Sequence, residues 1–286
     1  MVTTLKDALD DARKRRIAVG HFNISDSTQL NAIASAAQEL NVPVLVGVSD
    51  GEREFIGAKK AVAMVEAARE EFGIPIFLNA DHTHDVAKCK ALADMGFDSV
   101  IFDGSKLPAQ ENIEKTREVV AYVRASGREV LIEGELGYIG SSSKLLDAIP
   151  DDVRGAMTTP EDALHFVRET GVDLLAPSVG NLHGMLKGRE NPALDIARIR
   201  ELSETVDVPM VLHGGSGISD EDFTNAIAAG MTIVHINTEI RVAYRRGIEE
   251  GFAASADEVV PYHYLDKGRD AVKEVVENRL KLFGKF

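Results

Sequence analysis

The chain is poor in cysteine and in long apolar runs, and each shortage excludes a class of protein. A single cysteine among 286 residues rules out an intrachain disulfide and suits a reducing compartment. No stretch approaches the roughly 20 consecutive apolar residues that span a bilayer. The first residues, MVTTLKDALDDARKRR, carry the mixed charge of an amphipathic helix rather than the pattern of a secretory signal. We therefore expect a cytoplasmic protein.

Positive charge is also in short supply. The chain has 32 Lys and Arg residues against 46 Asp and Glu residues, a formal net charge of −14. This charge opposes binding to nucleic acid and to anionic membranes, so we expect neither as a partner. It does not exclude a small anionic substrate, because a local cluster of donors can hold a phosphate inside an acidic protein.

Short β-rich runs alternate with longer amphipathic stretches along the chain. Such alternation is typical of parallel strands joined by right-handed crossovers. Eight strand–helix units predict an α/β fold, a TIM (β/α)8 barrel, as one domain over residues 1–286. A doubly wound open sheet is the alternative, but no GxGxxG follows the first strand. The predicted strands are Ile17–Phe22, Pro43–Val48, Pro75–Ala80, Asp98–Asp103, Glu129–Gly134, Asp173–Val179, Val208–His213 and Thr232–Asn237.

One predicted connection is much longer than the few residues that usually join a strand to the next helix. It runs from Gly137 to Thr159 and contains the segments SSSK and DAIPDD. Long loops in compact domains are often active-site lids. A tolerated surface insertion explains the length about as well.

Polar side chains stand at the C-terminal ends of the predicted strands, where TIM barrels place their active sites. A single Asp or Asn there is commonly a turn former or a helix cap, and a lone histidine is more often structural than a ligand. The whole set at one rim is harder to explain by turns alone. Its members are Asn23, Ser49, Asp81, His82, Asp103, Glu135, His183, His213, Asn237 and Thr238.

Three of these residues are histidines, His82, His183 and His213. Histidine is the commonest metal ligand near neutral pH, and three imidazoles with a vacant fourth position suit a catalytic zinc ion. We predict Zn²⁺ at these residues. His21, inside a strand, and His165, within a helical pattern, have weaker claims to a functional role.

A glycine-rich turn, VLHGGSGIS, ends the seventh predicted strand. Backbone N–H groups without a neighbouring Cβ can approach an anion closely, and the loops after strands seven and eight of TIM barrels often hold a phosphate. Thr238, just beyond the eighth strand, adds a hydroxyl group. The sequence therefore predicts a phosphorylated substrate beside the metal.

The chain resembles the class II, metal-dependent ketose-bisphosphate aldolases, which are aldehyde-lyases acting on fructose or tagatose bisphosphate. The resemblance runs through FNISDSTQLNAI, NADHTHDVAKCKALADMGFDSVIFDGS, EGELGYIG, GNLHGMLKG, LHGGSGIS and NTEIR, in the family's order. It implies reversible cleavage of fructose 1,6-bisphosphate or tagatose 1,6-bisphosphate. The products would be dihydroxyacetone phosphate and an aldehyde such as glyceraldehyde 3-phosphate.

The same resemblance implies roles for individual residues. His82, His183 and His213 would bind the catalytic zinc, and Asp81 would donate a proton to the aldehyde-derived oxygen. Asp103 and Glu135 match positions that bind a second or displaced cation, divalent or monovalent. The substrate would lie against Asn23, Ser49, Gly184, Gly214, Gly215, Ser216, His235, Asn237 and Thr238.

Three positions depart from the family's pattern. The family usually has Asn at His235, where it contacts the dihydroxyacetone phosphate unit, and His at Asn79. Some members also carry a mobile glutamate beyond the ELG motif as the proton-abstracting base, where this chain reads SSSK. We expect an acid of the long loop to act as the base, with Glu135 as the rival. The loop acids are Asp147, Asp151 and Asp152.

Two other interpretations stay open. A metal-dependent TIM-barrel hydrolase could use the three histidines to activate water, and a non-catalytic protein could bind a sugar phosphate in the same pocket. An aldolase that forms a Schiff base is disfavoured, because it needs a lysine at a strand tip and Lys187 lies in a loop. A homodimer or homotetramer is the expected assembly.

Overall fold

The computed structural model describes residues 4–140, 143–153 and 157–286. Eight of its strands form one closed sheet, and they match the predicted strands to within three residues at each end. They are β1 Val19–Asn23, β2 Val44–Val48, β3 Ile76–Thr83, β4 Ser99–Phe102, β5 Leu131–Leu136, β7 Leu174–Pro177, β9 Met210–Leu212 and β10 Met231–Ile236.

Neighbouring strands are parallel, and the closed order is β1-β10-β9-β7-β5-β4-β3-β2. The TIM barrel prediction is thus confirmed. The helices are α1 Leu5–Arg15, α2 Ser27–Leu40, α3 Asp50–Ile56, α4 Ala58–Phe72, α5 Val86–Met95, α6 Ala109–Ser126, α7 Pro160–Thr170, α8 Ile196–Thr205, α9 Asp220–Ala229, α10 Thr238–Ala254, α11 Pro261–Tyr264 and α12 Asp266–Gly284. Among the described residues, no helix is long and apolar enough to cross a membrane.

Local sequence signals set the helix boundaries, as α7 illustrates. The Thr159 hydroxyl accepts a hydrogen bond from the Asp162 N–H at 3.1 Å, and Pro160 occupies the first helical position, where its missing N–H costs nothing. Gly171 ends the helix with φ +70°, a left-handed conformation that glycine adopts without strain. The next strand, β7, begins three residues later at Leu174.

The side chains inside the barrel change from apolar to polar along its axis, from the N-terminal to the C-terminal ends of the strands. At the N-terminal end, inward side chains of the strands pack with α1 into one apolar cluster that includes Leu9, Leu45, Phe77 and Ile233. Strand side chains alternate faces, so His21 of β1, two residues after Val19, and Asn79 of β3, two residues after Phe77, also point inward, and both are polar. The N-terminal half of the interior is therefore a packed core closed by α1, and the C-terminal half is free to carry chemistry.

The long connection after β5 contains regular structure that the sequence did not predict. Its strand β6, Leu145–Leu146, pairs in parallel with β8, Met185–Leu186, in the loop that follows β7. A short 3-10 helix, Asp151–Val153, follows. The N–H of His183 also donates to the carbonyl of Ile139 at 2.9 Å. The connection therefore holds the segment that carries a predicted zinc ligand.

Candidate active site

The C-terminal mouth of the barrel opens into a cavity of about 510 Å³, whose walls include Asp81, His82, Asp103 and His183. A narrower pocket shares Asp81, His82 and His183 with it and continues inward. The structure thus brings the predicted site residues to one place. The walls of the narrower pocket add Asn23, Gly184, Gly214, Ser216, His235, Asn237 and Thr238.

The backbone at the end of β3 is bent to present His82. His82 has φ +39°, which is rare for a residue with a side chain, and the pairing register of β3 with β4 shifts between Ala80 and Thr83. Such a conformation costs about 1–3 kcal/mol and persists only where its surroundings enforce it. The strain lies at the residue that the sequence singled out as a ligand.

The three predicted zinc ligands converge. Their rings meet edge to face, with centroids 4.7, 4.8 and 5.9 Å apart, so their nitrogen lone pairs can point to a common centre. His213 Nδ1 lies 3.2 Å from His82 Nε2, and nitrogens bound to one tetrahedral zinc ion are about 3.3 Å apart. His183 Nε2 is buried and has no hydrogen-bond partner among the described residues. The three imidazoles therefore fit a shared metal ion.

Carboxylates lie behind these rings. His82 Nδ1 donates to Asp103 Oδ2 at 2.9 Å, and Glu135 Oε2 lies 3.4 Å from the same nitrogen. These contacts leave His82 Nε2 facing the other histidines. Because carboxylates orient and polarise ligating imidazoles, Asp103 and Glu135 are placed to support the metal site. Asp103 and Glu135 also form, with His82, a group whose possible ligand atoms lie within 4.8 Å of one another, and the two carboxylates could hold a second cation.

Glu133 is a site residue that the sequence analysis missed. It is fully buried, and its Oε1 accepts from His213 Nε2 at 2.7 Å, which turns His213 Nδ1 toward His82. Glu133 and Glu135 are two positions apart on β5, so both point into the barrel. That spacing in EGELG was the available signal.

Asp81 offers one oxygen to the cavity. Its Oδ2 accepts from Asn23 Nδ2 at 2.9 Å, while its Oδ1 has no hydrogen-bond partner among the described residues. That oxygen lies 3.7 Å from His82 Nε2 and 3.7 Å from His235 Nδ1. Burial would raise the pKa of Asp81, but the charges of His82 and His213 and the Asn23 hydrogen bond hold it well below its usual value. Asp81 is therefore ionised and able to accept a proton.

Glu52, from α3, is a second residue that sequence reasoning missed. Its Oε2 accepts from Asn23 Nδ2 at 2.9 Å and from the Ser49 N–H and hydroxyl at 2.7 and 2.8 Å. Its Oε1 pairs with Arg241 at 2.5 Å. Glu52 thus fixes Asn23 and Ser49, and Arg241 brings a positive charge to the cavity wall.

The protonation of the histidines follows from their neighbours. Burial would lower the pKa of His82, but Asp81, Asp103 and Glu135 raise it well above its usual value. Burial likewise opposes the charged form of His213, and its bond to Glu133 raises its pKa. Burial and the positive charges of His82 and His213 hold the pKa of His183 well below its usual value. Of the three predicted ligands, His183 is therefore the one that is already neutral.

The glycine turn and the start of α10 form the other side of the narrow pocket. Gly214 has φ +64°, and a Cβ there would lie 2.3 Å from the Leu182 carbonyl oxygen, so only glycine fits. The Ser216 hydroxyl accepts from the N–H groups of Asn237 and Glu239 at 3.2 and 3.1 Å and so caps α10. The Gly215 N–H is already bonded to the carbonyl of His235. The positive end of the helix dipole faces the pocket and favours an anion.

The acids of the long loop are less clearly placed. Asp147 is 87% exposed and pairs with Lys187 at 2.8 Å. Asp151 begins the 3-10 helix, while Ser141, Ser142 and the Asp152 side chain lie outside the described part of the chain. Glu135 is buried beside His82, and burial together with the charge of Asp103 raises its pKa.

The chain is similar to known proteins over almost its whole length. A model of the class II fructose-bisphosphate aldolases matches residues 3–286. The fructose-bisphosphate aldolase of Geobacillus stearothermophilus is 36% identical over 289 residues, which cover 99% of this chain and 97% of that protein. The fructose-bisphosphate aldolase of a Staphylococcus epidermidis strain is 36% identical over 286 residues, with the same coverage.

Solved structures agree with the sequence matches. The YdjI aldolase of Escherichia coli K12 superposes with a TM-score of 0.84 at 28% identity, covering 99% of this chain and 98% of that one. A putative fructose-1,6-bisphosphate aldolase of Coccidioides immitis superposes with a TM-score of 0.86 at 28% identity, covering 99% and 96%.

The role of Glu133 predicts a loss of metal affinity when its charge is removed. Residues that orient metal ligands typically contribute about 10–100-fold to affinity, so Glu133→Gln should weaken zinc binding at least about 10-fold. Competition with a chromophoric chelator measures the change. Glu129→Gln, an exposed residue just before β5, is the matched control and should bind zinc like the wild type. Equal affinities in all three proteins would contradict the role of Glu133.

Metal binding should release protons near neutral pH. Because the pKa values of His82 and His213 are raised above 6.5, the metal-free protein retains protons there that a metal must displace. Zinc affinity should therefore fall as the pH drops and rise as it increases through these pKa values. Calorimetric titration in two buffers of different ionisation enthalpy measures the release, and identical apparent enthalpies at about pH 7 would refute it.

Proposed function

The chain belongs to the class II fructose-bisphosphate aldolase family, whose members are metal-dependent carbon–carbon lyases, and on this basis we propose its reaction. The protein reversibly cleaves fructose 1,6-bisphosphate or tagatose 1,6-bisphosphate. The products are dihydroxyacetone phosphate and an aldehyde such as glyceraldehyde 3-phosphate. The observation that carries the proposal is the convergence of His82, His183 and His213 beside a pocket lined by Asp81, whose Oδ1 is buried and has no hydrogen-bond partner among the described residues.

Zn²⁺ is the proposed metal, held by His82, His183 and His213. Three nitrogen ligands are typical of catalytic zinc sites, which keep one position for water or substrate. When bound, such an ion draws electron density from the ketone oxygen and stabilises the negative charge left on the neighbouring carbon. Asp103 and Glu135 orient His82 and are the proposed ligands of a second cation.

Asp81 is the proposed acid–base residue. In the cleavage direction its Oδ1 accepts the proton of the hydroxyl on the fourth carbon, the bond between the third and fourth carbons breaks, and the aldehyde forms. The electron pair stays on the third carbon until that carbon takes up a proton. In the reverse direction Asp81 returns its proton to the aldehyde-derived oxygen. Its ionised state and its unpaired oxygen support this role.

The phosphate of the dihydroxyacetone unit is proposed to lie at the start of α10. Thr238, Asn237 and Ser216 line the narrow pocket together with Gly184 and Gly214. The helix dipole contributes a positive partial charge, so a dianion can be held there despite the net charge of −14. An anchored phosphate fixes the carbonyl beside the three histidines, which lowers the entropic cost of reaching the transition state.

For the whole molecule we also propose a single domain over residues 1–286, a cytoplasmic location, and assembly as a homodimer or homotetramer. The long connection after β5 is the proposed lid, because it already contacts the segment carrying His183 through the β6–β8 pair. Closure would exclude water while the carbanion exists.

A cleavage assay tests the proposed function. The zinc-loaded protein should cleave at least one bisphosphorylated ketose, lose that activity after chelation and regain it when zinc is restored.

Asp81→Asn should retain zinc and its melting temperature while kcat falls about 10²–10⁴-fold, because general acid–base groups contribute that much. Asp94→Asn, a surface control, should turn over normally. Release of inorganic phosphate without aldehyde would instead indicate a hydrolase.

Proton exchange at the carbon beside the carbonyl of dihydroxyacetone phosphate tests the proposed base. This exchange reports carbanion formation without any carbon–carbon cleavage. Alanine at the residue that serves as base should slow it about 10²–10⁴-fold. If Asp147→Ala, Asp151→Ala and Asp152→Ala each exchange at the wild-type rate, the loop-base proposal is wrong. Glu135→Gln is assayed at saturating zinc, because Glu135 also orients His82. It should slow exchange about 10²–10⁴-fold if Glu135 is the base, and much less if a loop acid is.

A further inference from the structure

A second histidine, His21, lies directly behind the site. It is fully buried in β1, and its ring stacks on that of His235, with centroids 3.5 Å apart and planes within 4° of parallel. The two residues are register partners on β1 and β10, so the barrel itself holds them side by side. We refer to His21 and His235 as the imidazole stack.

Two further residues fix the position of His21. Asn79 Nδ2, on β3, donates to His21 Nε2 at 3.2 Å. On β2, a Cβ at Gly47 would lie 2.2 Å from His21 Cε1 and 2.4 Å from its Nε2, so the ring occupies the space that any other residue at Gly47 would fill. The ring of His21 therefore has one tightly defined place.

The front of the imidazole stack forms part of the active site. His235 lines the narrow pocket, and its Nδ1 lies 3.7 Å from Asp81 Oδ1, the carboxylate oxygen without a hydrogen-bond partner among the described residues. The opposite oxygen of Asp81 is held by Asn23. The Nδ1 edge of the His235 ring thus borders the oxygen on which the proposed proton transfer depends.

A metal ion is a poor explanation for this cluster, although His21, Asp81 and His235 offer ligand atoms within 4.8 Å of one another. A nitrogen lone pair lies in the plane of its ring. Because the two rings are parallel and stacked 3.5 Å apart, their lone pairs cannot meet at an ion about 2.0–2.1 Å from each. Burial lowers the pKa of His21 to about 4, so this ring is neutral and stacks without charge repulsion.

We propose that His21 is a positioning residue of the site: by stacking on His235 it fixes the ring that borders Asp81 Oδ1, and so keeps that oxygen in its reactive place. The inference rests on the proposed aldolase function. His21 touches no reacting atom and acts only through His235. The imidazole stack, with Asn79 and Gly47 behind it, is the support for one side of the catalytic carboxylate.

A cycle of variants at Gly47 and His21 tests this role without altering Asp81 or His235. Displacement by about 1 Å can cost about 10²-fold in rate, so His21→Ala should lower kcat about 10–100-fold with little change in KM or zinc content. Gly47→Ala should lower kcat similarly, because its methyl group displaces the His21 ring. In the His21→Ala background, Gly47→Ala should lower kcat by less than about a further 3-fold, since its methyl group then enters the space that the His21 ring has vacated.

Further variants separate positioning from loss of stability. His21→Gln keeps a polar group for Asn79 but has no ring to stack, and should not restore kcat. Leu174→Ala removes a buried side chain from the apolar half of the barrel interior. It should lower the melting temperature while kcat stays at the wild-type level.

Each outcome supports or overturns a defined statement. If the effects of Gly47→Ala and His21→Ala on kcat multiply independently, Gly47 acts through Asn23, whose Cγ would lie 3.3 Å from the same added methyl group, and the inference is wrong. If the wild type is active and His21→Ala has the same kcat, the inference is wrong and the proposed function is unaffected. A wild type that cleaves no ketose phosphate overturns both.

Discussion

Buried carboxylates impose the strongest constraint on this barrel. Asp81, Glu133 and Glu135 are each at most 3% exposed, and an ionised carboxylate in such a place is costly unless it is paired and hydrogen-bonded. The partners are imidazoles and amides on other strands, such as His213 for Glu133 and Asn23 for Asp81. Breaking one buried ion pair typically costs about 3–5 kcal/mol. These contacts join strands that are two apart around the barrel, β5 to the end of β9 and β1 to β3.

This pairing explains why the strand register matters at the mouth of the barrel. Shifting a strand by one residue turns its inward side chains outward. For β5 the shift would remove both Glu133 and Glu135 from the histidines. The apolar cluster at the other end, closed by α1, holds the strands in place without polar partners. Packing in one half of the barrel thus supports the charged groups in the other.

Two of the three positions expected to depart from the family's pattern, Asn79 and His235, are connected in space. They lie on different strands, and His21 contacts both, Asn79 by a hydrogen bond and His235 by stacking. These two departures therefore belong to one buried group of side chains. Because His235 also borders Asp81, the proposed acid–base residue, this group lies directly beside the proposed chemistry.

Local patterns in the chain were enough to predict the barrel and much of its rim. Strand–helix alternation located the eight strands, and the strand-end positions of His82, His183 and His213 identified the residues that converge. Alternation along a strand could also have shown that Glu133 faces inward with Glu135, because that depends only on neighbouring positions. Signals of this kind need no knowledge of the rest of the chain.

The choice of partners among the inward residues, in contrast, required the folded barrel. Glu133 and His213 are 80 residues apart, and His21 and Asn79 are 58 apart. Their contacts arise from the order and stagger of strands around the closed barrel, which no local pattern encodes. The β6–β8 pair was invisible for a related reason: strands of two residues are too short to show a period, and their pairing joins two distant loops. Local sequence thus set the face of each residue, and barrel closure set its partner.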